Sequence, residues 1–308
     1  MASDALVITG PTASGKTAVS LEVARRIGGE IISMDSRQVY RGMDIGTAKA
    51  TPAERAAVPH YGLDQVDPDE RYSAGRFARD ARIWIADNRA RDRVPILVGG
   101  TGFFLRALLQ PLFREPPTDT TRRRHLDRFL TTLPPDRLAA WARALDPVRA
   151  TRVHDRQRLA RTVEVVLLTG RPLSWWHAQP AEPVPGLSLR IVVLELDREL
   201  LYERINRRVD ELLARGLVEE VRDLAERYGA GAPGLNATGY IELVPYLRGE
   251  RSLAEAAELI RSATRAYARR QLTWLRNQLP ADVIRLNAAA PLPELAETIV
   301  AEWRRQRE

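Results

Sequence analysis

Residues 10–17 read Gly-Pro-Thr-Ala-Ser-Gly-Lys-Thr, a match to G-x-x-x-x-G-K-[ST]. They lie between an apolar run at 5–10 (ALVITG) and a helical pattern at 16–28, in which Val19, Val23 and Ile27 recur four apart. A strand that ends in a glycine-rich turn and passes straight into a helix presents successive backbone N–H groups at the helix N-terminus, where they can cradle a di- or triphosphate. Gly10, Pro11, Thr12, Ala13, Ser14, Gly15, Lys16 and Thr17 are the expected phosphate-binding residues. The Lys16 ammonium would meet phosphate oxygens and the Thr17 hydroxyl would meet Mg2+. The competing reading is a chance glycine-rich turn. The loop names no reaction, because kinases, NTPases and some transferases all use it.

The pattern around the loop predicts an α/β fold: a P-loop NTPase-like parallel sheet flanked by helices, with a mainly helical insertion domain. Strands are expected at 30–34, at 94–98 (VPILV), at 189–196 (LRIVVLEL), within His60–Val66 and at 283–286. Helices are expected at 74–91, from about Thr101, and at 198–214, 217–228, 252–261, 262–277 and 291–306. Trp84 falls at an apolar helix position and is expected in the core. Between 111 and 186 no strand pattern appears, and Pro116-Pro117, Pro134-Pro135 and the 180–185 stretch bracket helical segments. The predicted organisation is a catalytic core of 1–110 and 187–308 with a helical insertion at 111–186.

Composition narrows the chemistry. The 308 residues include no cysteine, which excludes disulfides, thiolate nucleophiles and Cys-ligated zinc. The four histidines (His60, His125, His154 and His177) have no metal-ligand spacing. No run approaches the roughly 18 apolar residues of a membrane span, and no leader pattern precedes the first strand, so the expected location is cytoplasmic. The net charge of +7 suits a polyanionic partner. Its make-up is uneven: 45 arginines stand against two lysines, Lys16 and Lys49.

Two further turns fall at the carboxyl edge where ligands bind in open α/β sheets. Asp35 closes the second strand, and it reads equally as a general base, a holder of metal-bound water, or a helix N-cap. Gly99-Gly100-Thr101-Gly102 closes the third. Thr101 could donate to a phosphate or a substrate, while as an isolated feature it reads as an N-cap of the following helix.

The segments Gly10–Thr17, Asp35–Lys49 (DSRQVYRGMDIGTAK) and Gly99–Gly102, taken together, resemble the bacterial tRNA dimethylallyltransferase family. Asp67-Pro68, Tyr72-Ser73-Ala74, Gln157-Arg158-Leu159-Ala160-Arg161 with Val163-Glu164-Val165, Gly216-Leu217 with Glu220-Val221, Gly239-Tyr240, Thr264-Arg265 and the run Ala268–Arg276 fit the same pattern. The likeness runs from about residue 6 to 277. Ala50, Phe103-Phe104 and Ile241 depart from the usual residues, and the zinc finger of the eukaryotic relatives is absent.

The resemblance implies transfer of a dimethylallyl group from dimethylallyl diphosphate to N6 of the adenosine just 3′ of the anticodon, in tRNAs reading codons that begin with U. It implies Mg2+ as cofactor, Asp35, Thr101 and Lys16 as catalytic residues, and Arg208 as a further diphosphate contact on the helix that also carries Arg204. It places Asp35, Ser36, Arg37, Gln38, Thr101, Gln157, Arg158, Leu159, Ala160 and Arg161 on the tRNA side. Further candidates there are Arg123, within Arg122-Arg123-Arg124, and Arg265, Arg269, Arg270, Trp274 and Arg276. Arginines and aromatics of this kind supply phosphate contacts and stacking surfaces, and the target base must leave its stack. In an arginine-rich chain each also reads as ordinary solvated surface. Trp175-Trp176 reads as packing. Lys49 has no role by spacing, and a contact to substrate or tRNA is the expectation. A small-substrate P-loop kinase, a prenyltransferase for free adenine nucleotides and a non-catalytic RNA-binding switch are the competing functions.

Overall fold

The computed structural model describes residues 3–110, 119–179 and 186–305. The chain divides into two compact units, Met1–Leu109 with Gly186–Glu308, and Gln110–Pro185. The joints at Pro116-Pro117 and 180–185 lie outside the described residues.

The first unit is built on strands β1 (Ala5–Thr9), β2 (Gly29–Ser33), β3 (His60–Tyr61), β4 (Val94–Val98), β5 (Leu189–Glu195) and β6 (Ile284–Asn287). They pair in parallel in the order β3-β2-β4-β1-β5-β6. Helices α1 (Lys16–Ile27), α2 (Pro52–Ala57), α3 (Ala74–Ala90) and α4 (Gly102–Leu109) come first in the chain. The second unit holds α5 (Thr120–Thr132), α6 (Pro135–Leu145), α7 (Pro147–Ala150), α8 (Arg156–Thr169) and α9 (Leu173–Ala178). The chain then returns to the first unit with α10 (Arg198–Ala214), α11 (Leu217–Tyr228), α12 (Val244–Leu247), α13 (Leu253–Gln278) and α14 (Leu292–Arg305).

The central strand β1 is buried along its whole length, which explains its uninterrupted apolar run. Leu6 and Ile8 pack with Val19 and Val23 of α1 and with Ile299 and Trp303 of α14. Helix α1 carries Arg25 and Arg26 in its last turn, where the dipole favours cations, and stops at Gly28 with φ 64°. Since all strands run one way, the turns after β1, β2 and β4 emerge together at one edge of the sheet. In the second unit Leu130, Leu138, Ala142, Leu159 and Val163 form a separate small core. There Asp155 caps α8 by accepting the Arg158 N–H at 2.9 Å.

Four expectations are corrected. Residues 252–261 and 262–277 form one helix, α13: Ser252 and Glu255 make a capping box at its start, and no glycine or proline interrupts 253–278. The strand within His60–Val66 is only His60–Tyr61, because Gly62 (φ 78°) and Asp64 (φ 57°) turn the backbone left-handed; Val66 keeps one isolated bridge to Tyr40. The second strand starts one residue earlier, at Gly29. Trp84 is half-buried rather than in the core, with its ring 6.2 Å from that of Tyr61. Among the described residues no helix is long and apolar enough to cross a membrane.

Candidate active site

The phosphate loop follows β1 directly. Gly10 (φ 154°) abuts the strand beside it, and a Cβ there would stand 2.6 Å from the Leu194 carbonyl oxygen. Gly15 (φ 85°) is the N-cap of α1 and provides no side-chain cap, so the loop and the first turn present backbone N–H groups without intrahelical acceptors. The Lys16 ammonium folds back over the loop, donating to the Gly10 carbonyl at 3.0 Å and the Pro11 carbonyl at 2.6 Å. Burial, and then the charge of Arg208, push its pKa down to about 7 against the opposing pull of Asp35. The Ser14 hydroxyl is buried without a partner, and Thr17 is exposed at the start of α1.

The two other turns lock against each other beside this loop. Asp35 Oδ1 accepts the Arg37 N–H at 2.8 Å, so the carboxylate shapes a turn rather than capping a helix; among the described residues nothing hydrogen-bonds its second oxygen. The Ser36 N–H donates to Thr101 Oγ1 at 3.1 Å. Gly99 has to be glycine, since a Cβ would stand 2.0 Å from the Met34 carbonyl oxygen. Thr9 Oγ1 donates to the Gly99 carbonyl at 2.8 Å and so ties the β1 end to the β4 end.

Arg208 and Tyr267 complete the cluster. Burial lowers the Arg208 pKa while the Asp35 charge raises it, which places the guanidinium in the field of that carboxylate and of Lys16. Tyr267 is pushed up to about 12, by burial and then by Asp35, with the nearby Thr101 pulling the other way. Lys16, Asp35 and Thr101 thus lie at one sheet edge, with Arg208 and Tyr267 within electrostatic reach of Asp35. Arg204 is separated from them: its guanidinium donates to the Ala288 carbonyl, at 3.4 Å, beyond β6.

The 36–49 segment is held from inside. Gln38 spends its carboxamide on the Ser33 hydroxyl (2.7 Å) and the carbonyls of Thr47 and Ala48. Arg37 reaches the Pro233 carbonyl at 3.4 Å. Glu220, on α11, accepts the N–H groups of Asp44, Ile45 and Gly46 and the Tyr240 hydroxyl. The expected outward role of Lys49 is corrected: its side chain is 1% exposed, and the ammonium donates to the Tyr40 carbonyl, Asp44 and Asp64.

Helix α13 lies over the Gly99–Gly102 turn. The buried Gln271 hydrogen-bonds the backbone of Thr12 and of Gly100, and Trp274 covers Gly102. Arg269 donates to the Tyr202 hydroxyl at 3.1 Å, and the Arg270 guanidinium lies 5.7 Å from the Tyr267 ring centre. With Arg106 and Trp274 these two arginines line an open groove of about 590 Å³. Arg265 faces elsewhere, onto Asn206 and Glu258, and Arg276 is exposed near the end of the helix.

In the helical unit, Gln157 and Arg158 are exposed, with Arg158 3.4 Å from Asp155. Leu159 is in the small core and Ala160 packs on it, so these two side chains turn inward. Arg161 and Arg123 both pair with Glu164, which is 2% exposed, while Arg122 and Arg124 are exposed. The Trp175 and Trp176 rings meet edge to face at 5.0 Å; Trp176 donates to Thr169 Oγ1, and Arg171 lies over Trp175.

Sequence reasoning assigned no site role to Gln271, Glu220, Tyr240 or Tyr267. The spacing of Tyr267, Gln271 and Trp274 (i, i+4, i+7) was the available signal, but it says only that they share a helix face.

Comparison with known proteins adds the family. The family model described as IPP transferase matches residues 38–278, and that described as isopentenyl transferase matches residues 3–69. The chain is 48% identical over 277 residues to the tRNA dimethylallyltransferase of Geobacter metallireducens, covering 88% of this chain and 89% of that protein. It is similar to the crystal structure of a tRNA isopentenylpyrophosphate transferase from Staphylococcus epidermidis, with a TM-score of 0.70, 37% identity and coverage of 98% of this chain and 99% of that one. A eukaryotic dimethylallyltransferase acting on tRNA matches with a TM-score of 0.72 and 29% identity, over 92% of this chain and 73% of that one.

Proposed function

The chain belongs to the IPP transferase family, and from that premise we propose that it transfers a dimethylallyl group from dimethylallyl diphosphate to N6 of the adenosine 3′-adjacent to the anticodon in tRNAs reading codons that begin with U. Diphosphate leaves. The observation that supports this reading best is the convergence of a phosphate loop, two cations and a carboxylate at one sheet edge. A departing diphosphate needs its growing charge met as the C–O bond breaks, and an exocyclic amine needs its proton removed as the C–N bond forms.

The N–H groups within Gly10–Thr17 that are not spent on Gln271 or Pro11 bind the diphosphate, with Lys16 and Arg208 as its counter-charges. Diphosphate displaces the Gly10 and Pro11 carbonyls as the partners of the Lys16 ammonium. Asp35 takes the amine proton, its geometry fixed by the Arg37 N–H. Thr101 positions the amine or the bridging oxygen. Thr17 fits a divalent cation: it is exposed at the first turn of α1, three residues after Ser14, whose buried hydroxyl has no partner. Among the described residues no group of three or more acidic or imidazole side chains forms a metal site, so the donor's own oxygens would supply most ligands. Mg2+ bound there would neutralise charge on the leaving diphosphate.

On the RNA side, Arg269, Arg270 and Trp274 offer guanidinium and ring surfaces in one groove, and Gln157, Arg158, Arg161 and Arg123 offer a second set on the helical unit. Gln38 contributes through the backbone it holds, and Leu159 through the small core that supports α8. The cytoplasm is the compartment this reading implies. The deciding experiment mixes the protein with labelled dimethylallyl diphosphate, Mg2+ and unmodified tRNA. Label in the RNA at that adenosine is the expected result, and its absence sinks the reading whatever nucleotide hydrolysis is seen.

A further inference from the structure

Gln271 sits where α13 crosses two turns at once. Its Oε1 accepts the Thr12 N–H at 2.8 Å and its Nε2 donates to the Gly100 carbonyl at 2.9 Å, in a residue only 7% exposed. Thr12 belongs to the phosphate loop, and Gly100 precedes Thr101. Pro11 has no N–H and the Thr12 N–H is spent on Gln271, so the carboxamide fixes the start of the loop from which the later N–H groups project. A Cβ on Gly100 would stand 2.2 Å from Gln271 Nε2, so that turn is shaped to receive the carboxamide.

The same helix face repeats the contact on either side. One turn earlier Tyr267 meets Thr101, and one turn later the Trp274 ring would lie 2.2 Å from a Cβ on Gly102. Adjacent positions Arg269, Arg270 and Thr273 line the basic groove. Any movement of α13 would reach Thr12 and Gly100 together, through one side chain.

We propose that Gln271 is a positioning residue that couples the phosphate loop to the acceptor turn, so that diphosphate and RNA bind cooperatively. This rests on the prenyl-transfer reading for the identity of the two ligands. Couplings carried by such links are typically about 5- to 150-fold in affinity.

The test titrates the full chain with inorganic pyrophosphate and Mg2+, with and without saturating unmodified tRNA. In the wild-type protein RNA is expected to tighten pyrophosphate by about fivefold or more. Gln271→Met keeps the length but neither accepts nor donates as the amide does, and the ratio is expected to fall to near one while RNA affinity alone stays close to wild type. Gln271→Glu retains the bond from Thr12 but cannot donate to Gly100, and it is expected to lower the ratio as well. This second variant keeps the test alive if the methionine variant fails to fold. A ratio near one in the wild type, or an undiminished ratio in a folded variant, overturns the proposal. Binding needs no turnover, so failure of label transfer to tRNA is a separate result that sinks the reaction reading alone.

Discussion

The Lys49 ammonium lies 2.6 Å from Asp64 Oδ1, and Asp64 in turn receives Arg55 at 2.8 Å. With Asp44 at 2.7 Å, this ties the 40–49 segment to the turn that follows β3. Removing Lys49 leaves the Tyr40 carbonyl and two carboxylates without their cation. Breaking a fully buried pair costs roughly 3–5 kcal/mol. Here Asp44 and Asp64 are 57% and 33% exposed, and Asp64 keeps Arg55, so solvent screening reduces the loss. Lys49→Met is expected to lower unfolding stability by about 2 kcal/mol in urea titrations. Lys49→Arg should also destabilise, because a guanidinium does not fit a pocket closed around a single nitrogen. Unchanged stability in the arginine variant would make the survival of this lysine chance.

The same network sets an acid limit. Burial alone would raise the Asp64 pKa, but the hydrogen bonds and charges of Lys49 and Arg55 outweigh it and hold it below the usual carboxylate range. A depressed carboxylate contributes stability that is fully present above its unfolded pKa and is lost as pH falls through its folded pKa. Asp64→Asn is therefore expected to flatten the loss of stability below about pH 4, measured as the urea midpoint against pH. An unchanged slope would place the acid sensitivity elsewhere.

Lys16, pushed down to about 7 in the free protein, makes diphosphate binding depend on pH. Bound diphosphate favours the charged ammonium, so binding takes up a proton at pH values above the free-state pKa. Once the titration of pyrophosphate itself is subtracted, affinity is expected to be flat below pH 7 and to fall by up to about tenfold per unit above it. Calorimetry in buffers of different ionisation enthalpy measures the uptake directly, and Lys16→Met should abolish it. No proton uptake at pH 8 in the wild type would show that Lys16 is already charged.

Asp35→Asn separates chemistry from binding. Asparagine keeps an oxygen to accept the Arg37 N–H, so the turn retains its shape. What disappears is the base. Turnover is expected to drop by about 10²–10⁴ with tRNA affinity retained. Wild-type turnover would remove Asp35 from the mechanism.

The legible and illegible parts of this molecule divide along a physical line. Local order was readable: β1 shows an unbroken apolar run because both its faces are buried, and Gly10–Thr17 shows a motif because the backbone itself binds. The strand within His60–Val66 is shorter than expected because Gly62 and Asp64 both turn left-handed, a conformation that glycine and aspartate permit but do not require. Contacts between distant segments were not readable. Gln271 reaches Thr12 across most of the chain, and Glu220 reaches the 44–46 amides in the same way. Arg204 and Arg208 share a helix and a four-residue spacing, yet only the fold reveals that one faces Ala288 and the other the Asp35 field.

Salt dependence tests the groove on α13. Arg269 and Arg270 line it, and both are exposed. If each meets one phosphate of a single-stranded loop, each contributes about 0.7 to the slope of log affinity against log salt. The double substitution Arg269→Ala with Arg270→Ala is expected to reduce that slope by about 1.4 for unmodified tRNA, read from titrations between about 50 and 200 mM salt. Arg276→Ala, farther along the same helix and outside the groove lining, gives an internal contrast. Equal slopes in the double variant and the wild type would assign both arginines to ordinary surface charge and move the RNA contacts to the helical unit.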